Sequence, residues 1–235
     1  MSASVFHFKR FSIRQDRCAM KVGTDAIIFG AWVRHAGAMR ILDIGTGTGL
    51  LALIAAQRAP EAEVHAVEID DDAAAQAAEN FAASPWSDRV RAHRMDVRRM
   101  RSDGPFDLVV CNPPYYPGQS VPADERTRVA KHGAELSFEQ LLEHVARLLA
   151  PAGRFAVIIP ADREVEFLGI AERRGLLPAR RCALRYVAHR PAKRIMLECS
   201  HGPLVVEREE LVVEGDAARD RSPAVQALVA DLLDR

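Results

Sequence analysis

The residues with the clearest chemical potential are Asn112-Pro113-Pro114-Tyr115, which directly follow the apolar run 106–111. A planar amide oxygen and a rigid backbone carbonyl can accept the two hydrogens of an NH2 group, and a phenol ring can stack on a flat substrate. Prolines end a strand, and the residue before a proline is held in extended geometry. The motif therefore predicts a site for a flat amine at the end of a buried strand, with a plain turn and a packed tyrosine as the alternative.

A second stretch suited to ligand binding lies where a predicted strand meets a helix, and it reads Asp43-Ile44-Gly45-Thr46-Gly47-Thr48-Gly49. Glycines there let the backbone turn sharply and come close to a ligand. A dinucleotide fingerprint would place glycine at position 50, where this chain has leucine, and the Gly-Lys-Ser/Thr of a P-loop does not follow. The turn therefore disfavours a nicotinamide cofactor and excludes a P-loop.

Acidic residues end two further predicted strands. Glu68 lies 21 residues after Gly47, where an acid can accept both hydroxyls of a ribose. Asp96, followed by Val97, could accept from an adenine amino group, although helix capping is the alternative for it. Because these acids, the glycine turn and Asn112 follow four successive predicted strands, they should meet at one sheet edge, which is where open α/β sheets bind ligands.

An alternation of strands and helices must position these residues. Between 40 and 160 the order is β-α-β-α-β-β-α-β, which is typical of a doubly wound, mainly parallel sheet. The predicted strands are 40–44, 63–69, 89–95, 106–111 and 154–159, and the predicted helices are 50–58, 70–81, 138–149 and 162–174. Flanking them we expect a strand or short hairpin at 5–13, a helix at 26–33 capped by Thr24 or Asp25, extended segments at 177–187 and 194–199, a strand pair near 204–213 and a helix over 222–233. The fold class is therefore α/β, with an antiparallel C-terminal edge and a short N-terminal extension.

The charge of the chain is balanced but unevenly distributed. The 235 residues are 49% hydrophobic and 27% charged with a net charge of zero, so no bulk charge indicates a polyanionic partner. Residues 173–194, however, carry eight Arg or Lys and no acid. This segment predicts a basic face, with ordinary solvated surface charge as the alternative.

The cysteines and the N-terminus bear on the compartment. The four cysteines are scattered, without a C-x-x-C pair or histidines at metal spacing, so they indicate reduced thiols and no metal site. The N-terminus lacks the apolar core of a signal peptide, and no apolar run approaches the length of a membrane span. We therefore expect a cytoplasmic protein that does not contact a membrane.

The motifs above resemble those of class I S-adenosylmethionine-dependent methyltransferases, and residues 112–115 resemble the catalytic motif of members that methylate amino groups. Residues 16–25, Gly30-Ala31-Trp32, Ser84-Pro85-Trp86 and 112–116 are similar to the bacterial tRNA(Val) adenine N6-methyltransferase family. That family modifies the adenosine 3′ of the anticodon. The resemblance implies a Rossmann-like class I fold, S-adenosylmethionine as the cofactor with S-adenosylhomocysteine as its product, and tRNA as the partner, with a monomer favoured.

The resemblance also implies roles for individual residues. Asn112, Pro113, Pro114 and Tyr115 would be catalytic. The implied cofactor-binding residues are Lys21, Gly23, Thr24, Asp43, Gly45, Thr46, Gly47, Gly49, Glu68, Asp96, Val97 and Asn112. The first three would close over the methionine end of the cofactor. Residues 1–38 would form an extension covering the cofactor site, 39–200 the methyltransferase domain, and 201–235 strands and a helix packed on that domain.

Binding of RNA would require contacts with phosphates. The candidate basic residues are Lys9, Arg10, Arg14 and Arg17, then Arg126, Arg128 and Lys131, then Arg180, Arg181, Arg190, Lys193 and Arg194. The middle group lies in a polar loop, 118–133, and loops of that length inside compact domains are usually functional or mobile.

Three other functions share part of these motifs. A glutamine N5-methyltransferase acting on release factors shares Asn-Pro-Pro-Tyr, because a carboxamide is also a flat amine, but such enzymes carry a helical N-terminal domain where this chain has a short strand-rich segment. A ribosomal RNA guanine N2-methyltransferase usually has phenylalanine after the prolines. An RNA-binding protein that holds the cofactor without catalysis would not need residues 112–115 intact.

Overall fold

The computed structural model describes residues 5–18, 20–113, 136–202, 205–215 and 220–234, so Pro114, Tyr115 and loop 118–133 lie outside the described residues. The described strands are β1 Val5–His7, β2 Ser12–Arg14, β3 Arg40–Ile44, β4 Glu63–Glu68, β5 Val90–Arg94, β6 Phe106–Cys111, β7 Leu149–Pro160, β8 Leu176–Arg185, β9 Arg194–His201 and β10 Glu207–Val212. The described α-helices are α1 Thr24–Trp32, α2 Leu50–Arg58, α3 Asp71–Ala82, α4 Phe138–Leu148, α5 Glu164–Arg173 and α6 Pro223–Leu228. Short 3₁₀ helices span Val97–Arg99 and Ala161–Arg163.

One large sheet organises the described residues, with strand order β10-β8-β9-β7-β6-β3-β4-β5. Neighbouring strands are parallel except at β9, which is antiparallel to both β7 and β8, while β10 is parallel to β8. The helices that connect the parallel strands return across the sheet, so the carboxyl ends of these strands open on one edge. This arrangement confirms the predicted doubly wound, mostly parallel sheet, and it places the antiparallel strand just inside the C-terminal edge.

Apolar side chains cover both faces of the sheet. Ile41 belongs to a buried cluster with α1, α2, α3 and α6, whereas the next residue, Leu42, belongs to a second cluster with α4 and α5. Successive residues of a strand point to opposite faces, so the near-continuous apolar sequence of β3 and β6 is what burial on both sides requires. The two central strands are therefore held firmly, and their carboxyl ends are well placed to carry a site.

Two predicted element boundaries differ in the structure. Helix α4 ends at Leu148, and β7 begins at once and includes Pro151 and Gly153 where its pairing with β6 is irregular. The terminal helix α6 is shorter than predicted, although Leu232 and Leu233 after it are still buried. The carbonyl of Leu232 accepts the backbone N–H of Lys9 at 2.9 Å, so this turn joins the N-terminal hairpin instead of continuing the helix.

The predicted strand pair near 204–213 is wrong within the described residues, where this segment forms the single strand β10. Its acidic side chains meet arginines of β8, with Glu209 at 3.0 Å from Arg180 and Glu210 at 3.0 Å from Arg185. The alternating polar sequence thus fits an edge strand that is held by charge, which removes the need for a hairpin partner.

The N-terminal segment forms the β1–β2 hairpin, one of the two predicted alternatives, and differs from the helical domain expected of a release-factor methyltransferase. Phe11 stacks on Phe8 at 4.4 Å and meets the edge of Trp86 at 5.6 Å, close to the start of β5. Beyond Arg14 the chain runs along α3 toward the opposite edge of the sheet. The extension therefore runs to the glycine turn from the edge of the sheet where the parallel strands begin, which we call the far edge.

Within the described part of the chain, no helix is long and apolar enough to cross a membrane. Nor do its His, Cys, Asp and Glu side chains form a group of three or more that could hold a metal ion. Cys18, Cys111, Cys182 and Cys199 are all free and buried.

Candidate active site at the carboxyl edge of the sheet

The glycine turn after β3 presents open backbone at the sheet edge. Gly45, Gly47 and Gly49 have φ angles of 70°, 55° and 88°, a backbone conformation that residues with a side chain rarely adopt. A Cβ added to Gly45 or Gly47 would meet no atom of the described residues within 4 Å, whereas one on Gly49 would collide with the ring of Phe81. The first two glycines therefore leave space for a ligand, and the third allows α2 to pack against α3.

Asp43 holds the glycine turn through hydrogen bonds. Its side chain is fully buried, and Oδ2 accepts from the Thr46 hydroxyl at 2.5 Å and from the backbone N–H of Ala52 at 3.1 Å. Burial raises the pKa of Asp43 to about 7. Oδ1 is buried and has no hydrogen-bond partner among the described residues. The carboxylate thus fixes the turn, and its second oxygen could accept from a donor bound against the turn.

Glu68 joins the glycine turn to the end of β4. Its Oε2 accepts the backbone N–H of Gly47 at 2.9 Å, and Oε1 accepts those of Ile69 and Asp70 at 2.8 and 3.0 Å. A carboxylate has about four lone-pair sites, so one remains in this arrangement. Binding both ribose hydroxyls, as predicted, would require Glu68 to release one of these backbone groups.

Asp96 caps the 3₁₀ helix after β5, and Val97 is buried behind it. Its carboxylate accepts the backbone N–H of Arg98 at 2.9 Å and contacts the Arg98 guanidinium at 2.5 Å. The hydrogen bond from the Arg98 side chain is the main cause that lowers the pKa of Asp96. The capping alternative for Asp96 therefore holds in the structure, and one carboxylate oxygen still has an acceptor site.

Asn112 and Pro113 follow β6 beside the glycine turn. Cys111, the last residue of β6, pairs with Ile44, the last residue of β3. Because paired strands lie about 4.8 Å apart, the next residues on each strand, Asn112 and Gly45, are neighbours at the same edge. The predicted adjacency of the amide and the glycine turn is thus present in the backbone.

Lys21 and Gly23, just before α1, and Thr24, its first residue, are exposed, and the chain here is held on both sides. On one side the backbone N–H of Val22 donates to Gln15 Oε1 at 2.8 Å. On the other side Asp25, in the first turn of α1, accepts from the Tyr186 hydroxyl and pairs with Arg194 at 3.2 Å. We call residues 14–18 and 20–24 the strap, because they lie between α3 and α1 at this edge.

Sequence reasoning missed two buried amides that hold the strap. Asn80, 2% exposed, exchanges two hydrogen bonds of 2.9 Å with the backbone of Arg14 and also donates to the carbonyl of Thr48 at 2.8 Å. Gln76, fully buried, accepts from the backbone of Arg17 at 2.9 Å. The sequence did indicate such a role, because two amides four residues apart on the buried face of an alanine-rich helix require hydrogen-bond partners.

The basic residues proposed for RNA binding divide into two groups. Arg180 is 7% exposed in its side chain and pairs with Glu198 at 3.1 Å, and Arg181 pairs with Glu164 at 2.6 Å. These ion pairs argue against both as phosphate contacts, because Arg180 is buried against a carboxylate and the charge of Arg181 is already paired. Arg10 lies 5.6 Å over the ring of Trp86, at the edge opposite the glycine turn.

Lys9 lies at the same far edge as Arg10. It donates to the carbonyl of Ala230 at 2.7 Å, next to Asp231, which pairs with Arg58 at the end of α2. Arg14 and Arg17 lie along α3, where Arg17 pairs with Glu79. Of the described candidates, Arg190, Lys193 and Arg194 therefore lie nearest to the edge that carries Asn112.

This chain is similar to known proteins of about the same length. The family model of the methyltransferase small domain matches residues 22–168. The chain is 44% identical to the tRNA1(Val) (adenine(37)-N6)-methyltransferase of Tolumonas auensis, covering 90% of this chain and 89% of that protein. It is 42% identical to the protein of the same name from Trichodesmium erythraeum, covering 91% of each.

Solved structures share the fold at low sequence identity. A protein from Agrobacterium tumefaciens described as a predicted O-methyltransferase superimposes with a TM-score of 0.67 and 19% identity, covering 88% of this chain and 95% of that one. The ribosomal protein L11 methylase of Lactobacillus delbrueckii gives a TM-score of 0.54 and 19% identity, covering 77% and 78%. At such identities the likeness shows the fold alone.

Proposed function

Because this chain belongs to the methyltransferase small domain family, we propose that it transfers a methyl group from S-adenosylmethionine to the exocyclic N6 of an adenine in tRNA. The names of its relatives support the adenosine 3′ of the anticodon in a valine tRNA as the target. The observation that supports the proposal is the register of β6 and β3, in which Cys111 pairs with Ile44 directly before Asn112 and the glycine turn. The reaction would take place in the cytoplasm, where tRNA is found.

The residues at the sheet edge fit this cofactor. The space over Gly45 and Gly47 suits a ligand lying on the backbone, and the remaining acceptor site of Glu68 suits a ribose hydroxyl. Asp43 Oδ1 would receive a donor such as the methionine ammonium. Asp96 and Val97 would meet the adenine end, while Lys21, Gly23 and Thr24 of the strap would cover the methionine end. When bound, S-adenosylmethionine supplies a methyl group already activated on a sulfonium.

The protein's own task is to orient the acceptor nitrogen. An adenine N6 lone pair is delocalised into the ring, which makes it a poor nucleophile. The side-chain oxygen of Asn112 and the carbonyl of Pro113 would accept its two N–H groups, favour a pyramidal nitrogen and stabilise the positive charge that develops there. Pro114 would keep this carbonyl rigid, and Tyr115 would stack on the base.

A strong general base is not required. The methylated nitrogen is acidic while it carries the extra proton, so it releases that proton readily to water. Stacking on an aromatic ring is worth about 1–3 kcal/mol per base, which is of the order needed to hold a nucleotide out of its stack.

The decisive experiment identifies the product. The protein is incubated with methyl-labelled S-adenosylmethionine and total tRNA, the RNA is digested, and the labelled nucleoside is identified by chromatography and mass spectrometry. We expect N6-methyladenosine, and we expect a valine tRNA transcript with guanosine in place of the adenosine 3′ of the anticodon to remain unlabelled. Label in guanosine, or in a release-factor glutamine offered in parallel, would overturn the proposal.

A further inference from the structure

The loop between β8 and β9, residues 186–193, lies at the same sheet edge as Asn112. Strand β9 is antiparallel to both β7 and β8, so β8 runs in the direction of β6 and ends at this edge. Arg194, the first residue of β9, pairs with Pro160, the last residue of β7. The backbone N–H of Ala161 also donates to the carbonyl of Lys193 at 3.1 Å. The loop therefore continues the edge beyond Asn112, on the side away from the glycine turn.

The strand order divides this edge at Asn112. The glycine turn, Glu68 and Asp96 follow β3, β4 and β5 on one side, and the ends of β7, β9 and β8 lie on the other. Under the proposed function the cofactor occupies the first side. A base held at Asn112 brings its ribose and two flanking phosphates with it, and these must extend over the second side.

The second side carries exposed positive charge. Arg190 and Lys193 are exposed, and both belong to the loop. Two nearby acids are already engaged, because Asp25 pairs with Arg194 at 3.2 Å and Glu210 with Arg185 at 3.0 Å. Two exposed acids remain beside the loop, Asp162 of the adjoining 3₁₀ helix and Glu214, whose backbone N–H donates to the carbonyl of Tyr186 at 3.0 Å.

The loop is held in shape before any ligand arrives. Arg185 donates to the carbonyls of Ala188 and Arg190 at 3.1 and 3.4 Å, and the backbone N–H of Lys193 donates to the carbonyl of Leu184 at 3.1 Å. The ammonium of Lys193 lies 5.7 Å over the ring of Tyr186.

Tyr186 also ties the loop to the strap. Its hydroxyl donates to Asp25, which directly follows Thr24. Burial raises the pKa of Tyr186, so the hydroxyl stays protonated and remains a donor at neutral pH. Positioning such as this reduces the entropy lost when a phosphate binds.

We propose that the loop 186–193 is a phosphate-binding element in which Arg190 and Lys193 hold the RNA backbone that flanks the base at Asn112. The inference rests on the proposed function for the identity of the base, and it adds the surface that receives the rest of the acceptor. Contacts of this kind carry no sequence information and serve to fix the register of the strand.

The test compares two charge-matched double variants. Arg190→Ala with Lys193→Ala removes the two exposed cations of the loop. Arg91→Ala with Arg208→Ala removes two exposed arginines on β5 and β10, each near the start of its strand and away from the site edge. Binding of an unmodified valine tRNA transcript is measured by fluorescence anisotropy over a series of salt concentrations, and S-adenosylmethionine binding by calorimetry.

For the loop variant we expect the tRNA dissociation constant to rise about tenfold at physiological salt. The slope of log K against log salt should become shallower by about 1.4, because each phosphate contact on a single strand contributes about 0.7. Cofactor affinity should stay unchanged, and KM for tRNA should rise while kcat changes little. Asp162→Asn should lower the tRNA dissociation constant.

Three results would overturn the inference: a slope equal to that of wild type, an equal loss in the Arg91/Arg208 variant, or no tRNA binding by the wild-type protein. The proposed function is judged separately. It fails when wild type leaves adenine unmethylated, whereas the loop assignment fails when wild type methylates tRNA and the loop variant behaves as wild type does.

Discussion

Two regions of this protein carry charged side chains but differ in how far the structure satisfies them. Around Arg180, the guanidinium meets Glu198 at 3.1 Å and Glu209 at 3.0 Å and lies 4.2 Å over the ring of Trp32, whose Nε1 donates to Glu209 at 2.8 Å. At the glycine turn, Glu68 keeps an acceptor site, Asp43 Oδ1 has no partner among the described residues, and the backbone faces open space.

The difference lies in unused hydrogen-bonding capacity. Buried charges persist only when partners satisfy them, and the Arg180 cluster meets that condition entirely within the chain. Polar groups at the glycine turn keep capacity that a ligand can fill, which is what a binding site requires. Charge in a sequence therefore identifies neither region, whereas the partners of each charged group identify both.

The largest effect we expect is on stability, from Arg180→Met. Removal of the guanidinium leaves Glu198, 1% exposed, buried without its cation, and breaking a buried ion pair in this way typically lowers the free energy of unfolding by about 3–5 kcal/mol. Urea unfolding followed by tryptophan fluorescence measures the change. Arg208→Ala, exposed on the neighbouring strand, serves as the control and should stay within about 0.5 kcal/mol of wild type.

The comparison would be reversed by one outcome. If Arg180→Met unfolds like wild type and instead weakens the salt dependence of tRNA binding, Arg180 is an RNA contact and its ion pairs are incidental.

The next largest effect is on the rate, from Asn112→Ala. Loss of one group that stabilises developing charge lowers kcat by about 10²–10³-fold in comparable sites, and we expect a loss of that order here. S-adenosylmethionine affinity, measured by titration calorimetry, should change by no more than about threefold, since the glycine turn is supported by Asp43 and Glu68. Lost cofactor binding would make Asn112 a structural residue.

The strand ends that carry the candidate site were predictable from sequence because the determinants are local. Apolar runs closed by glycine, acid or proline gave the ends of β3, β4 and β6 to within one residue, and parallel topology then places those ends on one edge. The placement of Asn112 beside Gly45 requires in addition that β6 lies next to β3, which the strand order of the structure supplies.

The partners of the charged groups were not predictable. Arg180 is neutralised by residues on β9 and β10, and their position depends on a strand order that local sequence does not encode. The same limit applies to Asn80, whose three hydrogen bonds join the strap to the glycine turn across segments distant in sequence. Sequence thus locates single strand ends better than it pairs side chains between strands.

Asn80→Ala tests how the strap supports the cofactor site. It leaves the backbone of Arg14 and the carbonyl of Thr48 without partners, and each such loss typically amounts to about 1–3 kcal/mol. We expect the dissociation constant of S-adenosylmethionine to rise about tenfold at a temperature where the variant is fully folded. Gln76→Ala is the matched control, because among the described residues Gln76 holds the strap at Arg17 and Asp16 and not at the glycine turn. Equal effects in both variants would mean that the turn does not depend on Asn80.

Asp43→Asn gives the smallest expected effect and separates the two uses of this side chain. Burial raises the pKa of Asp43 from 3.8 to about 7, so between about pH 4 and 7 the folded state keeps a proton that the unfolded state releases. The free energy of unfolding of wild type must therefore fall as pH rises through this window, and asparagine removes that dependence. We expect the free energy of unfolding of Asp43→Asn to fall less than that of wild type as pH rises from about 4 to 7, measured by urea unfolding at each pH. Because asparagine lacks the negative charge that the unpartnered Oδ1 offers a donor, cofactor affinity at pH 8 should fall in the same variant. A variant with the flatter pH dependence that also keeps full cofactor affinity would show that Asp43 only supports the turn. The unused hydrogen-bonding capacity of this edge would then lie in the glycine backbone and Glu68.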